Sequence, residues 1–286
     1  MEVLLHPRTQ KTLEAFLQKK PHTILLTGQR GVGKDTIAKW YVAKLLNIEP
    51  GKLADYPYYK HIAEDASISI EHVREITAFL KLVTPGEAGI RRVIHISDAD
   101  NMTNEAQNAL LKTLEEPPAD TCIILTASQP KRLLRTIHSR TQACEVICPP
   151  LTVIKKYFAH EFPSSNEVDK MILLSAGLPG LTHALLAEDE HPLTGLIATA
   201  KQFIVADQYR RLTMIETLVK EQATITDLLW AMDRIAQLGQ RAAASKEQSQ
   251  QVKRWQSCRE AIAQSESSTR SGVNKKLILT DLALQI

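Results

Sequence analysis

Cysteine is scarce in this chain: four residues in 286, Cys122, Cys144, Cys148 and Cys258, with no C-x-x-C spacing. Neither a disulfide framework nor a zinc knuckle is indicated, and buried core thiols are the simpler reading, although Cys144 and Cys148 could share one face of a strand. No apolar run approaches the 18 residues that a membrane-spanning helix needs, and Met1–His6 is too short for a signal peptide, so a cytoplasmic location is expected. Charge of one sign is also lacking. A formal net charge of +3 permits contact with nucleic acid without announcing it. The nine histidines are scattered without H-E-x-x-H spacing. His95 lies in an apolar run, where a satisfied core histidine is expected rather than a ligand, and no metal is expected. Internal repeats and low-complexity tracts are absent. What remains, 44% apolar and 23% charged residues, is the composition of an ordinary globular protein with length for two or three domains.

The strongest positive feature is Gly28-Gln29-Arg30-Gly31-Val32-Gly33-Lys34-Asp35-Thr36. A phosphate-binding loop reads G-x-x-x-x-G-K-[S/T]: backbone N–H groups cradle phosphates, the Lys reaches the outer phosphates and the hydroxyl holds Mg²⁺. Gly28, Gly31, Gly33 and Lys34 stand in place, but the hydroxyl position is Asp35. A carboxylate there meets phosphate oxygens of its own charge. Thr36 comes one residue late, about 100° further round the following helix. Thr23–Thr27 precedes the loop as a buried strand and an amphipathic helix follows it, the order that places a helix N-terminus at the anion.

Residues 1–148 alternate strand-like and helix-like segments, the pattern of an α/β module with a parallel sheet and helices on both faces. Strands are expected at Thr23–Thr27, near His61–Ala63, and at Val93–Ser97, Cys122–Ala127 and Glu145–Cys148. Helices are expected at Gln10–Lys19, Thr36–Leu46, Ile70–Leu80, Asn104–Glu115 and around Lys131–Ile137. Pro149-Pro150 marks the first boundary. Beyond it the strands stop. A small helical lid is expected over 149–190, broken by Gly177-Leu178-Pro179-Gly180, and an all-α bundle over 191–286. In that bundle a helix through Leu228–Leu238 is read as stopping near Gly239, and Ser265–Gly272 as a polar loop before a last helix at Lys275–Leu284.

A second signature is Val93-Ile94-His95-Ile96-Ser97-Asp98-Ala99-Asp100, a strand ending in an acid, as in a Walker B element whose Asp helps to hold Mg²⁺. Asp98 stands at that position; as a bare feature it is equally a capping Asp at a strand–loop junction. The third is Asn104-Glu105-Ala106-Gln107-Asn108-Ala109-Leu110-Leu111-Lys112-Thr113-Leu114-Glu115-Glu116-Pro117-Pro118, an amphipathic helix with Thr103 or Asn104 as N-cap and two prolines as its stop. N-A-L-L-K-T-L-E-E-P-P after such a strand strongly resembles the clamp-loader ATPases of the bacterial replicative polymerase, an AAA+ family. Ile123–Pro130 looks like that family's sensor 1 strand, and Ser139-Arg140-Thr141-Gln142 is similar to its S-R-C motif.

The resemblance implies an AAA+ module (1–148), a helical lid (149–190) and a collar bundle that oligomerises (191–286). Motor subunits of the family carry a hydroxyl after the loop Lys, a Glu after the Walker B Asp and an Arg in the lid. Here those positions are Asp35, Ala99 and Gly180, and residues 46–64 lack the motor's four-cysteine zinc module. The chain therefore resembles the delta-prime branch rather than gamma/tau. On that reading it requires no cofactor: the loop of Gly28, Gly31, Gly33, Lys34, Asp35 and Thr36 with Asp98 binds ATP or ADP weakly at best, Mg²⁺ is poorly provided for, and there is no turnover in cis. Arg140 would act in trans as an arginine finger on a neighbour's ATP. Implied partners are gamma/tau and delta subunits, with the sliding clamp and primed DNA reached through the complex, and no membrane. Polymerase activity would belong to the holoenzyme. Basic pairs and clusters (Arg91-Arg92, Lys131-Arg132-Arg135, Lys253-Arg254) could meet DNA phosphates or be solvated faces. The rivals are an active gamma/tau-like motor, with Asp35 and Asp100 rearranged around Mg²⁺, and a nucleotide-gated AAA+ module outside replication.

Overall fold

Helix starts follow local chemistry from the first element onward. In the computed structural model, which describes residues 3–63, 67–86, 89–163, 167–187, 192–220, 225–270 and 273–286, α1 (Pro7–Lys19) begins three residues before the expected Gln10. Pro7 suits a first helical position, and the His6 ring accepts from the Arg8 amide at 3.2 Å. There follow β1 (Thr23–Thr27), α2 (Lys34–Leu46), β2 (Tyr59–Ile62), α3 (Ile70–Leu80), β3 (Arg92–Ile96), α4 (Asn104–Glu115), β4 (Thr121–Ala127), α5 (Arg135–His138) and β5 (Gln142–Glu145). Thr103 caps α4 by accepting from the Ala106 amide at 3.1 Å.

The five strands form one parallel sheet in the order β2-β3-β4-β1-β5. Side chains alternate along each strand. Leu25, Ile62, Ile94, Ile96, Ile123 and Leu125 share one core with Val73 and Ile76 of α3 and Ala106 and Leu110 of α4. The opposite face carries α1 and α2. β5 lies three residues earlier than the expected Glu145–Cys148. Its partner β1 is spent at Thr27, which pairs with Glu145, and beyond that the β1 chain turns into the glycine loop.

The chain divides into two compact units, residues 1–154 and 155–286. α6 (Leu151–Glu161) spans the division. The second unit continues with α7 (Val168–Leu174), α8 (Pro179–Ala187), α9 (Pro192–Val205), α10 (Gln208–Lys220), α11 (Ile225–Ser245), α12 (Ser249–Arg270) and α13 (Lys275–Gln285). Two expectations are corrected here. Gly239 stops nothing: α11 runs six residues past it, and a Cβ at this position would lie 2.3 Å from the Trp255 indole of α12. The glycine is a close-packing point between antiparallel helices. The region from Ser265 is helical as far as Arg270, because Cys258, Ala261, Ile262 and Ser265 recur at helical spacing as one buried face. Ser268 and Thr269 turn their hydroxyls back to the carbonyls of Gln264 (3.2 Å) and Glu266 (2.7 Å). Ser271 and Gly272, the rest of that expected loop, lie outside the described residues.

Gly239→Ala tests the packing point. Helix propensity favours Ala by roughly 1 kcal/mol, whereas overpacking costs roughly 1–3 kcal/mol. The indole ring is rigid, so a net loss of about 1–2 kcal/mol is expected in urea unfolding. In a Trp255→Ala background the same change should be neutral or stabilising; an equal loss in both backgrounds would refute the contact.

Candidate functional site

The glycine loop leaves β1 at Thr27 and enters α2 at Lys34. Gly28 is required by close approach, since a Cβ there would sit 2.8 Å from the Val146 carbonyl oxygen. Gly33, with φ of 95°, is the left-handed N-cap of α2. Lys34 is only 6% exposed. Its Nζ donates to Ser128 Oγ at 2.8 Å and to the Gln29 carbonyl at 3.3 Å. Burial pushes its pKa down, against the pull of Asp98, Asp100 and Asp35.

Asp35 turns away from the cradle toward the sheet. Ser97 Oγ donates to its Oδ1, and His95 Nε2 lies 3.2 Å from the same oxygen. Oδ2 faces Lys39 Nζ at 3.3 Å and His61 Nε2 at 3.7 Å. Burial alone would raise this carboxyl, but the hydrogen bond and charge interaction with His95, the Ser97 hydroxyl and Lys39 outweigh it and hold the pKa well below the usual range. Asp35 is therefore a committed anion. Thr36, half-buried in the first turn of α2, follows it.

The acidic loop after β3 is equally committed. Asp98 adopts φ of 44°, a left-handed conformation that Asp tolerates better than most residues, and its amide donates to Thr126 Oγ1 at 3.0 Å. Its carboxylate accepts from Ser128 Oγ at 3.5 Å, and burial raises its pKa against the opposing charge of Lys34. Ala99 is fully buried and offers no base. Asp100, also buried, accepts from the amides of Ser128 (3.2 Å) and Gln129 (2.6 Å). The residues present fit Mg²⁺–ATP poorly: the hydroxyl ligand is replaced by a carboxylate already bonded to a histidine and a serine, and Ala99 offers no carboxylate to orient water.

Arg140 sits elsewhere in the module. It follows α5 and precedes β5, and its carbonyl accepts from Thr23 Oγ1 at the first residue of β1. The glycine loop lies at the other end of β1, a strand length of about 13–16 Å away. The guanidinium pairs with Glu115 at the end of α4, and its Nη1 donates to the Thr136 carbonyl (3.0 Å) and to Ser139 Oγ (3.2 Å). Its Nε–H has no partner among the described residues.

A family model described as "DNA polymerase III, delta subunit" matches residues 6–148, half of the chain. The chain belongs to the DNA polymerase III delta-subunit family. Its relatives include the DNA polymerase III subunit delta′ of Pseudomonas aeruginosa, 32% identical over 179 residues, covering 55% of this chain and 53% of that protein. The delta′ subunit of Escherichia coli K12 is 29% identical over 240 residues, covering 77% and 70% respectively. The chain thus spans about half the length of the Pseudomonas relative. A solved gamma subunit-related protein from Thermotoga maritima matches over 97% of both chains with a TM-score of 0.50 at 19% identity, which supports the fold alone. The delta-prime resemblance read from Asp35, Ala99 and Gly180 agrees with these relatives.

Three features of this delta-family chain escaped the sequence reading. Gln107 of α4 is buried: its Nε2 donates to the carbonyls of Met102 and Arg132, and its Oε1 accepts from the Leu134 amide at 2.8 Å. It thereby fixes the segment that leads through α5 to Arg140. Arg92 is no surface cation; it is buried, donates to the carbonyls of Phe79 and Leu80 in the last turn of α3 and of Leu82 just beyond it, and lies 3.5 Å from Asp120. The remaining members of the basic clusters Lys131-Arg132-Arg135 and Lys253-Arg254 are exposed. The third feature is the meeting of Asp35 with His61 and His95. Among the described residues, no helix is long and apolar enough to cross a membrane.

Proposed function

We propose that this chain is a delta-prime-like stator of the DNA polymerase III clamp loader, supporting ATP-dependent loading of the sliding clamp on primed DNA in the cytoplasm. The observation that carries this reading is that Asp35 and Asp100 are already bonded within the protein, while Ala99 cannot act as a base. Asp98 is left without the Glu that would complete hydrolysis.

Arg140 supplies the activity that remains. Its place at the starting edge of β1, a strand length from its own loop, supports action on a neighbour's ATP rather than its own. Residues 149–190 serve as the lid and 191–286 as the collar that joins gamma/tau and delta subunits. Exposed Val205, Tyr209, Leu212, Leu277 and Leu284 favour such a surface, since an apolar patch of this kind calls for a partner. Any DNA contact goes through backbone phosphates and is insensitive to sequence.

The test is reconstitution. The purified chain should bind ATP or ADP weakly and turn over none, with no change in Lys34→Ala, and should assemble with gamma/tau and delta subunits into an active ATPase. Turnover by the purified chain that collapses in Lys34→Ala would establish the motor reading instead. Failure to assemble would favour a module outside replication.

A further inference from the structure

β2 and β3 are adjacent parallel strands in which Tyr59 pairs with Val93, and His61 with His95. Register partners on neighbouring parallel strands project to the same face side by side. The two imidazoles are accordingly stacked, 4.5 Å between centroids, on the sheet face that carries α2. The first turn of α2 delivers Asp35 to the same point. One ligand atom from each of Asp35, His61 and His95 lies within 4.8 Å of the others. Both Nε2 atoms point at the carboxylate, at 3.2 Å from His95 and 3.7 Å from His61. Ser97 Oγ lies 2.7 Å from His61 Nε2 and 3.5 Å from His95 Nε2, adding a hydroxyl as the fourth polar group of the cluster.

We infer that Asp35, His61 and His95 form a binding site for one divalent transition-metal ion of the zinc type, which ties the first turn of α2 to β2 and β3. Bonds of about 2.0–2.2 Å in a tetrahedron place neighbouring ligand atoms roughly 3.3–3.5 Å apart; His95 Nε2 lies 3.2 Å from Asp35 Oδ1 and His61 Nε2 3.7 Å from Oδ2, and one atom from each residue falls within 4.8 Å of the others, so binding draws the three together slightly. Two imidazoles and one carboxylate suit Zn²⁺, Co²⁺ or Ni²⁺; Mg²⁺ prefers an octahedron of oxygens and water. An orienting partner is present, as metal-bound histidines require: Tyr59 Oη lies 2.9 Å from His95 Nδ1, where accepting that N–H leaves the Nε2 lone pair for the metal. Lys39 Nζ, 3.3 Å from Asp35 Oδ2, competes with a metal for that oxygen. It is itself exposed, and an exposed ion pair of this kind is worth only about 0–1 kcal/mol.

The site is separate from the stator reading and stands or falls without it. Its place beside the loop gives it a role: the side chain at the Mg²⁺-ligand position of a phosphate loop is drawn into a cross-link between helix and sheet. Such a cross-link holds the loop's helix without nucleotide.

Metal binding by the full chain, stripped with chelator and titrated with Co²⁺, tests this directly. One equivalent should bind with the visible d–d absorption of a tetrahedral N/O site, and Zn²⁺ should displace it. His61→Ala and Asp35→Ser should each weaken Co²⁺ binding by at least about 100-fold. Tyr59→Phe, which keeps every ligand, should weaken it by roughly 10–100-fold. Circular dichroism in chelator must match wild type for each variant, and Tyr59→Phe keeps the test valid if a ligand variant misfolds. Absence of saturable binding would overturn the site and leave a hydrogen-bonded cluster. So would binding that survives Asp35→Ser and His61→Ala together, or thiolate charge-transfer bands that disappear in Cys148→Ser.

Discussion

Replacing Arg140 by Ala in the reconstituted loader is expected to lower DNA- and clamp-stimulated ATP turnover by at least about tenfold while leaving assembly intact. A guanidinium that stabilises charge on a transferring phosphoryl group contributes roughly 10³–10⁵ in rate at its site, or about 4–7 kcal/mol. The competing interaction is the ion pair with Glu115, whose members are 31% and 47% exposed. A pair with that much water access is worth about 0–1 kcal/mol. The transition state therefore wins, and the side chain can leave Glu115 when a neighbour's phosphate arrives. Lys at this position should rescue little, because it lacks the planar fork. Glu115→Gln should preserve or slightly raise turnover. Unchanged ATPase in Arg140→Ala would make the residue a bystander and the subunit purely architectural.

Arg211→Met should destabilise the C-terminal unit by about 2–4 kcal/mol, read as a lower urea midpoint. Arg211 of α10 is 5% exposed and ion-pairs with no Asp or Glu side chain among the described residues. Its guanidinium donates instead to main-chain oxygens: the carbonyls of Phe203 at 3.1 Å and Ile204 at 3.0 Å near the end of α9, the Ala283 carbonyl near the end of α13, and the main-chain oxygen of Ile286, the last residue of the sequence. Two helices thus present their negative ends to one buried cation. Burying the charge is costly, and burial lowers its pKa. Met removes that cost, yet it leaves carbonyls that cannot be mutated away, each worth roughly 1–3 kcal/mol when unpaired. The unpaired carbonyls outweigh the relief. Arg211→Lys should fall between, since one ammonium cannot span both helix ends. A loss below about 0.5 kcal/mol in Arg211→Met would refute the double cap.

What could be read from the sequence was whatever local chemistry decides. Ile70–Leu80 and Asn104–Glu115 have the bounds expected from a Ser or Thr cap and a proline stop, and Thr23–Thr27 those of an apolar β-branched run. The misreadings share a different cause. Gly239 looks like a stop because the indole that needs its missing side chain is on another helix. Ser265–Arg270 looks like a loop because Glu266–Thr269 are the polar, more open residues of a helix whose buried face is set by Cys258, Ile262 and Ser265. In the site, the change at Asp35 was legible from the loop's spacing and that at Ala99 from the family resemblance, but their bonding was not. His61 stands 26 residues after Asp35 and 34 before His95, and only the β2–β3 register brings them together. Arg92 reads as half of a basic pair, although burial makes it the cap of α3. Long-range register and burial carry no short motif.

The position of Arg140 at the starting edge of the parallel sheet, with the glycine loop at the finishing edge, gives the module polarity. A contact that joins one copy's starting edge to another's finishing edge is heterologous and cannot close on itself as a twofold pair. Modules that associate this way line up head to tail, and each must have a direction. A member able to give a cation but unable to use one belongs at a terminus of such a row, where it ends propagation and makes the row finite.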